Sequence, residues 1–278
     1  MNEKSPHGAD PIQLNPNRHP ITALLANIIE KAGAKQWQAS DFAGIDQLHL
    51  GARDATQALA SWLPCSAKHG LDIGCGVGGT SRYLALNHGC SMVGLDLNGD
   101  YIQAAQLING ALSPPPDCDF VMGNSLDLPF AGATFDFVVS QHASMNIAQK
   151  AALLAVVHRV IKPGGCLLLH EVMLAQGCAE TSVNYPTPWA DTLDHSHLSH
   201  WQNFAKLAHI AGFTLTEFAD NTRDALAWMQ ETRKQRPKLP FTPQLALGAT
   251  AGNMSANMHD NLQQGRLQIV SALLVKPL

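Results

Sequence analysis

An apolar run that ends at a glycine-rich turn limits the folds open to this 278-residue chain. The run 69–73 leads into Gly74 in the sequence Leu-Asp-Ile-Gly-Cys-Gly-Val-Gly-Gly-Thr, and the run 91–96 then ends on Asp96. This order is typical of a β-α-β unit that binds a nucleotide. Glycines let backbone N–H groups approach a ligand without an intervening Cβ, and an acid after the second strand can bind both hydroxyls of a ribose.

Apolar runs and helical patterns alternate along the next part of the chain. Strands are predicted at 69–73, 91–96, 118–122, 135–140 and 166–171, and helices at 79–87, 98–110 and 147–161. This alternation indicates a parallel α/β sheet. Two late strands, 213–218 and 267–275, indicate an added antiparallel edge.

The remaining segments are less regular. Residues 1–20 are polar and contain several prolines, so we expect a flexible N-terminus. Helical spacing of apolar residues predicts a helix over 21–31. A capping box at 199–202 predicts a helix that runs to about residue 211. After a helical stretch at 224–235, the chain is expected to be irregular up to the last strand.

The composition excludes several classes of protein. Hydrophobic residues make up 46% of the chain and charged residues 14%, which suits a globular enzyme rather than a disordered chain. The net charge of −4 predicts no nucleic-acid partner. No apolar segment approaches the roughly 20 residues that span a bilayer, so no membrane partner is expected. Six cysteines without a C-x-x-C pair, and an N-terminus without a signal sequence, predict a cytoplasmic location.

The glycine pattern alone does not identify the ligand. Gly74, Gly76 and Gly79 satisfy G-x-G-x-x-G, and Asp96 lies at the distance typical of dinucleotide enzymes. Asp72, however, directly precedes the turn. A carboxylate is unfavourable beside a pyrophosphate but suits a ligand that carries an ammonium group.

Three more segments occur in a characteristic order after this turn: 123–130, 134–139 and 159–165. With them, residues 69–172 resemble the class I S-adenosylmethionine-dependent methyltransferases. The flanking segments 46–56, 141–146 and 185–190 are similar to those of the sarcosine/dimethylglycine and tocopherol methyltransferases. The resemblance implies a Rossmann-like parallel seven-stranded sheet with an antiparallel last strand and a helical cap or lid. It divides the chain into a helical cap, 21–66, and a methyltransferase domain, 67–278, with lid segments near 173–198 and 221–265.

The resemblance also implies which residues contact S-adenosylmethionine. Gly74 and Gly76 would line its methionine moiety, Asp96 its ribose, Leu97, Asn124, Ser125 and Leu126 its adenine, and Gln141 the end near the transferred methyl. Asn124 stands where the family more often has Asp, but its amide oxygen can still accept a hydrogen bond. Asp72 would face the ammonium group.

Two residues after the central strands are the catalytic candidates. His142 follows the fourth strand, where open α/β sheets place their ligands, and could take a proton from an acceptor hydroxyl or amine. An anchoring hydrogen bond within the loop is the alternative. Glu171 ends the fifth strand and could bind a cation of the acceptor, with structural capping as the alternative.

The segment after the fifth strand contains further polar and aromatic residues. Its acids and histidines, Asp191, Asp194, His195, His197 and His200, match no closed zinc pattern, so no metal is predicted. Tyr185 and Trp189 are interpreted as lid packing rather than as an aromatic cage for a methylammonium group.

The sequence therefore predicts an enzyme that transfers a methyl group to a small molecule by in-line displacement, with S-adenosylhomocysteine as product. Whether nitrogen, oxygen or carbon is methylated stays open, and a homodimer is one assembly that the sequence allows. Two alternatives remain: a nicotinamide-dependent oxidoreductase, and a non-catalytic S-adenosylmethionine-binding partner of another protein.

Overall fold

The computed structural model describes residues 20–235 and 241–278, so the predicted flexible N-terminus lies outside the described residues except for Pro20. The strands are β1 (His69–Ile73), β2 (Ser91–Asp96), β3 (Cys118–Met122), β4 (Phe135–Gln141), β5 (Ile161–Leu174), β6 (Thr214–Asp220) and β7 (Leu267–Val275). The helices are α1 (Ile21–Lys31), α2 (Ala52–Ala60), α3 (Gly79–His88), α4 (Gly99–Ala111), α5 (Lys150–Val160), α6 (Trp201–Ile210), α7 (Thr222–Gln235), α8 (Gln244–Leu247) and α9 (Ala251–Gln263).

The seven strands form one sheet in the order β3-β2-β1-β4-β5-β7-β6. Strand β7 is antiparallel to β5 and β6, whereas the pairs from β3 to β5 are parallel. The predicted fold class is therefore confirmed. The chain order reverses between β1 and β4, and such a switch point is where open α/β sheets bind ligands.

The central strand β4 is apolar because helices cover both of its faces. Phe137 and Val139 pack with side chains of α2 and α3 on one face, and Val138 packs with those of α5 and α6 on the other. Phe137 and Val138 are completely buried. A strand covered on both faces loses the alternation of apolar and polar residues, which is the pattern of this segment.

Three local expectations are corrected. The segment expected to be irregular contains α9, whose Met254, Met258 and Leu262 recur every four residues and are buried. The capping box at 199–202 does not form, because α6 begins after His200 without a side-chain cap. Strand β5 begins at Ile161, five residues before the predicted start, and pairs there with Phe135.

The N-terminal segment packs on the sheet's helical layer. The backbone N–H of Ile21 donates to Oδ2 of Asp100 at 2.6 Å, and α1 packs against α4. Among the described residues, no helix combines the length and apolar character needed to cross a membrane.

Candidate functional site

A cavity of about 250 Å³ lies at the carboxyl ends of β1, β2 and β4, beside the switch point of the sheet. Its walls come from the glycine turn after β1, the segment after β4, the segment before α2 and the segment after β5. Side chains that are far apart in the sequence therefore meet in one space.

The glycine turn forms the floor of the cavity at the end of β1. Gly74 and Gly76 have φ angles of 72° and 54°, in the left-handed region that favours glycine. A Cβ on Gly74 would lie 2.5 Å from the Cβ of Ala143, so only glycine fits there. A Cβ on Gly76 would meet open space, so a ligand can approach this part of the backbone closely.

Asp96 lies at the end of β2 and lines the cavity. Its Oδ2 accepts from the backbone N–H of Gly76 at 2.9 Å, and its Oδ1 accepts from the N–H of Asn98 at 2.8 Å. These bonds fix the carboxylate against the glycine turn. Carboxylate oxygens accept more than one hydrogen bond, so this orientation suits a diol.

Asp72 is a buried carboxyl group on the other side of the turn, and it also lines the cavity. Its Oδ2 accepts from the hydroxyl of Ser81 at 2.7 Å. Burial raises the pKa of Asp72 to about 7, and the nearby charge of Asp96 raises it further against the lowering effect of Ser81. A cationic group beside Asp72 would favour its charged form.

The predicted adenine contacts separate into two groups. Leu97 and Ser125 line the cavity. Asn124 is exposed, and its Oδ1 accepts from the N–H of Leu126 at 2.9 Å in an Asx turn. Neither Asn124 nor Leu126 lines the cavity. The structure thus does not bring these two side chains to the predicted site.

Gln141 lies at the end of β4, is buried and lines the cavity. Its Oε1 accepts from the hydroxyls of Thr80, at 2.8 Å, and Thr56, at 3.2 Å. Its Nε2 lies 3.2 Å from Nε2 of His49. Gln141 therefore joins β4 to α3, to α2 and to the segment before α2.

His142 follows Gln141 with a φ of 50°, which is unusual for a residue other than glycine. Its ring lines the cavity, and its Nε2 is buried without a hydrogen-bond partner in the described part of the chain. The ring stacks on that of His170, with centroids 5.2 Å apart, and meets the ring of His49 edge-on at 6.0 Å. Neither His49 nor His170 is a candidate from the sequence, although His49 lies in the flanking segment 46–56.

Burial keeps these three imidazoles uncharged. It lowers the pKa of His49 to about 3 and that of His170 to about 4, and it holds the pKa of His142 well below its usual value. Repulsion between the rings adds to the effect for His49 and His142. His170 donates from Nε2 to the carbonyl of Leu50 at 3.0 Å, so its Nδ1 accepts from Ser271. This end of the cavity is therefore polar but neutral.

Glu171, predicted to bind a cation of the acceptor, does not line the cavity. It is completely buried and accepts from the hydroxyl of Ser140 at 2.6 Å and from the backbone N–H groups of Ala143 and Ser144. Burial raises its pKa against the lowering effect of these hydrogen bonds. Glu171 is thus corrected from a substrate contact to a positioning residue, because it fixes the turn that directly follows His142.

Two buried cations hold the segments around the cavity together. Arg82 donates to the carbonyl of Val77 at 2.6 Å and forms an ion pair with Asp46 at 3.3 Å, which ties the segment before α2 to the glycine turn. Lys150 donates to the carbonyls of Ser144 and Ile147, and to that of His197 at 2.7 Å. Burial lowers the pKa of Lys150 to about 8.

The segment after β5 closes the cavity with Pro188 and Trp189. The indole Nε1 of Trp189 donates to the hydroxyl of Ser196 at 3.1 Å, whereas Tyr185 does not line the cavity. The acids and histidines of this segment do not converge, and within residues 20–235 and 241–278 no three such groups are arranged to hold a metal ion.

Comparisons with known proteins agree with this geometry. Residues 71–169 match the family model described as "Methyltransferase domain". This match confirms the resemblance indicated by the motifs, and it favours that interpretation over a nicotinamide-dependent oxidoreductase.

Individual relatives and solved structures are less than 30% identical to this chain in the following examples. The chain is 26% identical to the O-methyltransferase resE of Aspergillus sclerotiorum, over 63% of this chain and 66% of that protein. It is 28% identical to the 2-methyl-6-phytyl-1,4-hydroquinone methyltransferase of Synechocystis sp., over 60% of this chain and 56% of that protein. The matches thus span less than two thirds of either relative. The fold is similar to that of Haemonchus contortus phosphoethanolamine N-methyltransferase 2 in complex with S-adenosyl-L-methionine, with a TM-score of 0.71 and 18% identity, covering 90% of this chain and 60% of that one.

Proposed function

We propose that this protein, whose residues 71–169 form a methyltransferase domain, is an enzyme that transfers a methyl group from S-adenosylmethionine to a small molecule. The observation that carries the proposal is the pair of carboxyl groups, Asp72 and Asp96, on the two sides of one glycine turn. S-adenosylmethionine has both a ribose and an ammonium group, which these acids suit. A dinucleotide would instead place a pyrophosphate near the buried Asp72, where like charges repel.

The residues around the turn fit this donor. Asp96 is already oriented by two backbone N–H groups and would bind the ribose hydroxyls. Asp72 would bind the ammonium group, and Gly74 and Gly76 let the methionine moiety lie against the backbone. The apolar side chain of Leu97 would contact the adenine.

When bound, the donor supplies an electrophilic methyl group on a positively charged sulfur, with S-adenosylhomocysteine as product. The chain's own contribution is orientation, because in-line displacement requires the acceptor atom to be held opposite the breaking bond. Gln141 lies at the β4 end of the cavity, where it would face the reacting centre. His142 would take the proton from an acceptor that must lose one.

We propose that residues 21–66 act as a cap and that 173–198 and 221–265 act as lid segments of a methyltransferase domain, 67–278. Each of these three segments contributes to the cavity wall: Leu48 and His49 from the first, Trp189 from the second and Leu247 from the third. Together they would exclude water and select the acceptor.

The setting of the reaction is also a proposal. We place the protein in the cytoplasm, because all six cysteines are free thiols. The net charge of −4 supports a small-molecule acceptor rather than a nucleic acid. A homodimer is the assembly to be tested by light scattering.

Calorimetry tests the proposal directly. We expect S-adenosylhomocysteine to bind and NADH to show no heat above the buffer control. Binding of NADH alone would overturn the proposal. Release of S-adenosylhomocysteine with any member of a panel of amines, phenols and polyketide-like acceptors would exclude a catalytically silent binding protein.

A further inference from the structure

The acceptor end of the cavity indicates the chemical class of the substrate. We infer that the methyl acceptor is an uncharged molecule with an apolar body and an acidic hydroxyl group, of the phenol or enol class, and that oxygen is methylated. This inference rests on the proposed function and narrows it.

The walls at the β4 end carry no formal charge. They include Leu48 and His49 before α2, Gln141 at the end of β4, His142, Met145, Asn146 and Ile147 after β4, and Trp189 from the lid segment. Four of these eight side chains are apolar or aromatic and the other four are polar but uncharged, so the wall offers an acceptor both apolar contact and neutral hydrogen-bonding groups. Burial of apolar surface against such side chains favours an apolar ligand.

An anionic acceptor finds no partner in this wall. No lysine or arginine of the described residues lines the cavity. Arg82 is nearby but is paired with Asp46 and with the carbonyl of Val77, and Lys150 is surrounded by three backbone carbonyls. A phosphate, diphosphate or carboxylate would therefore be desolvated without compensation.

A cationic acceptor is equally unsupported. Asp72 and Asp96 belong to the glycine-turn end, Asp46 is paired with Arg82, and Glu171 lies outside the cavity wall. Trp189 is the single tryptophan, tyrosine or phenylalanine ring in the wall at this end, as far as the described residues extend, so an aromatic cage is not formed. A methylammonium group needs several such faces or a carboxylate.

The imidazole of His142 favours a hydroxyl. Its buried, unpartnered Nε2 is the kind of atom that a ligand commonly satisfies. Glu171 fixes the turn after it, and the stacked ring of His170 supports its face. A neutral imidazole removes a proton more readily from an acidic hydroxyl than from an aliphatic alcohol, so the acidic hydroxyl is the better partner.

In the proposed methyl transfer, each bond that forms or breaks and each proton is accounted for by the acceptor, the donor and His142. The O–H bond of the acceptor breaks, and its proton passes to the imidazole of His142. The oxygen donates an electron pair to the methyl carbon as the carbon–sulfur bond breaks, and that bond's electron pair remains on sulfur. The imidazolium returns its proton to water after the product leaves.

Three naphthalene probes with one ring body and different charges test the class: naphthol, naphthyl phosphate and a naphthylmethyl-trimethylammonium ion. Their binding to the S-adenosylhomocysteine-loaded protein is measured by calorimetry, and turnover of naphthol with S-adenosylmethionine is followed in parallel. We expect naphthol to bind at least about tenfold more tightly than either charged probe. This ratio corresponds to a difference of about 1.4 kcal/mol in binding free energy. Equal or tighter binding of a charged probe, or absence of naphthol binding, would overturn the inference.

Three variants make the test independent of a general loss of folding. Leu48 is 36% exposed and can accept a longer side chain, so Leu48→Lys should bring the phosphate probe to measurable affinity. The matched control is Leu86→Lys, on an exposed part of α3 outside the cavity wall, which should not. His142→Asn keeps a residue that tolerates the left-handed backbone and should lower naphthol turnover without changing affinity for S-adenosylhomocysteine. An unchanged turnover would refute the role of His142.

A failure of the proposed function and a failure of the acceptor class would give different results. Loss of S-adenosylhomocysteine binding by the unmodified protein would contradict the proposed function itself. Retained S-adenosylhomocysteine binding with preference for a charged probe would contradict only the acceptor class.

Discussion

At the glycine-turn end of the cavity, the polar groups are carboxyls that come from one β-α-β unit, Asp72 from β1 and Asp96 from β2. At the β4 end, the polar groups include Gln141 and the imidazoles of His49, His142 and, behind them, His170, and the imidazoles come from three separate segments. The first end is acidic and suits a donor with a cationic group. The second end is neutral, because burial suppresses the charge of every imidazole.

This difference shows how one fold can keep its donor and vary its acceptor. The carboxyls at the donor end are held by their own turn, through Gly76 and Ser81. The imidazoles at the other end depend on contacts between the segment before α2, β4 and β5, such as those of Gln141 and Glu171. Under the proposed function, we therefore expect a change near His49 or Trp189 to affect the acceptor more than the donor.

The largest expected effect is at the donor end. Asp96→Ala should weaken binding of S-adenosylhomocysteine about 100-fold, since two charge-assisted hydrogen bonds to a ribose contribute roughly 3 kcal/mol together. Calorimetry measures the change. The control is Asp119→Ala, which removes an exposed carboxylate on β3 and should leave the affinity unchanged. An Asp96→Ala protein that folds and binds as tightly as the unmodified one would refute the donor site.

The next effect is at the acceptor end and concerns stability. Glu171→Ala leaves the hydroxyl of Ser140 and the N–H groups of Ala143 and Ser144 without their acceptor in a buried turn. We expect the free energy of unfolding, measured in urea, to fall by about 2 kcal/mol, because buried donors are left unsatisfied. In the folded fraction, turnover should fall while affinity for S-adenosylhomocysteine stays within about twofold, because Glu171 does not line the donor end. Equal losses at both ends would show that the two ends are not independent.

The two ends also differ in how far the sequence predicts them. Gly74, Gly76, Asp72 and Asp96 are identified by local spacing, because the turn and the strands on each side fix the backbone that presents them. The sequence predicts Glu171 at the cleft because it ends the predicted strand 166–171, but β5 continues to Leu174, and the carboxylate is buried against Ser140 and the turn after His142. Sequence position does not reveal such burial.

The helix α9 gives a second example. The segment is rich in Asn and contains Gly252, and both residue types are weak helix formers, so local propensity favours irregular structure. Its Met254, Met258 and Leu262 nevertheless form one buried face. Tertiary packing, which a single sequence shows only as a faint period, overrides the propensity.

A smaller effect should appear as a pH dependence of the donor end. The pKa of Asp72 is raised to about 7 by burial, and an ammonium group binds its charged form. As pH falls through this value the carboxyl is protonated and must lose that proton on binding, so affinity falls. We expect S-adenosylhomocysteine to bind up to about tenfold more weakly for each pH unit below about 7, and with constant affinity above it.

The control for this dependence is Asp72→Asn, which has no titrating group at that position. It should bind more weakly than the unmodified protein at pH 8, a value about one unit above the Asp72 pKa, with little change down to about pH 6. The acceptor end should not add to the profile in this range, because the imidazoles there are already neutral. A slope that persists in Asp72→Asn would assign the titration to another group.

The smallest expected effect concerns Asn124, to which the sequence motif and the structure assign different hydrogen bonds. The motif assigns Asn124 a hydrogen bond to the adenine amino group, whereas its Oδ1 instead accepts from Leu126 on the exposed side of an Asx turn. Asn124→Ala should therefore change the affinity for S-adenosylhomocysteine by less than about twofold, because an exposed turn contact contributes only a few tenths of a kcal/mol. Calorimetry at constant pH measures the change, and thermal unfolding checks that the turn persists. A loss of about tenfold would contradict this expectation and indicate that Asn124 contacts the bound donor.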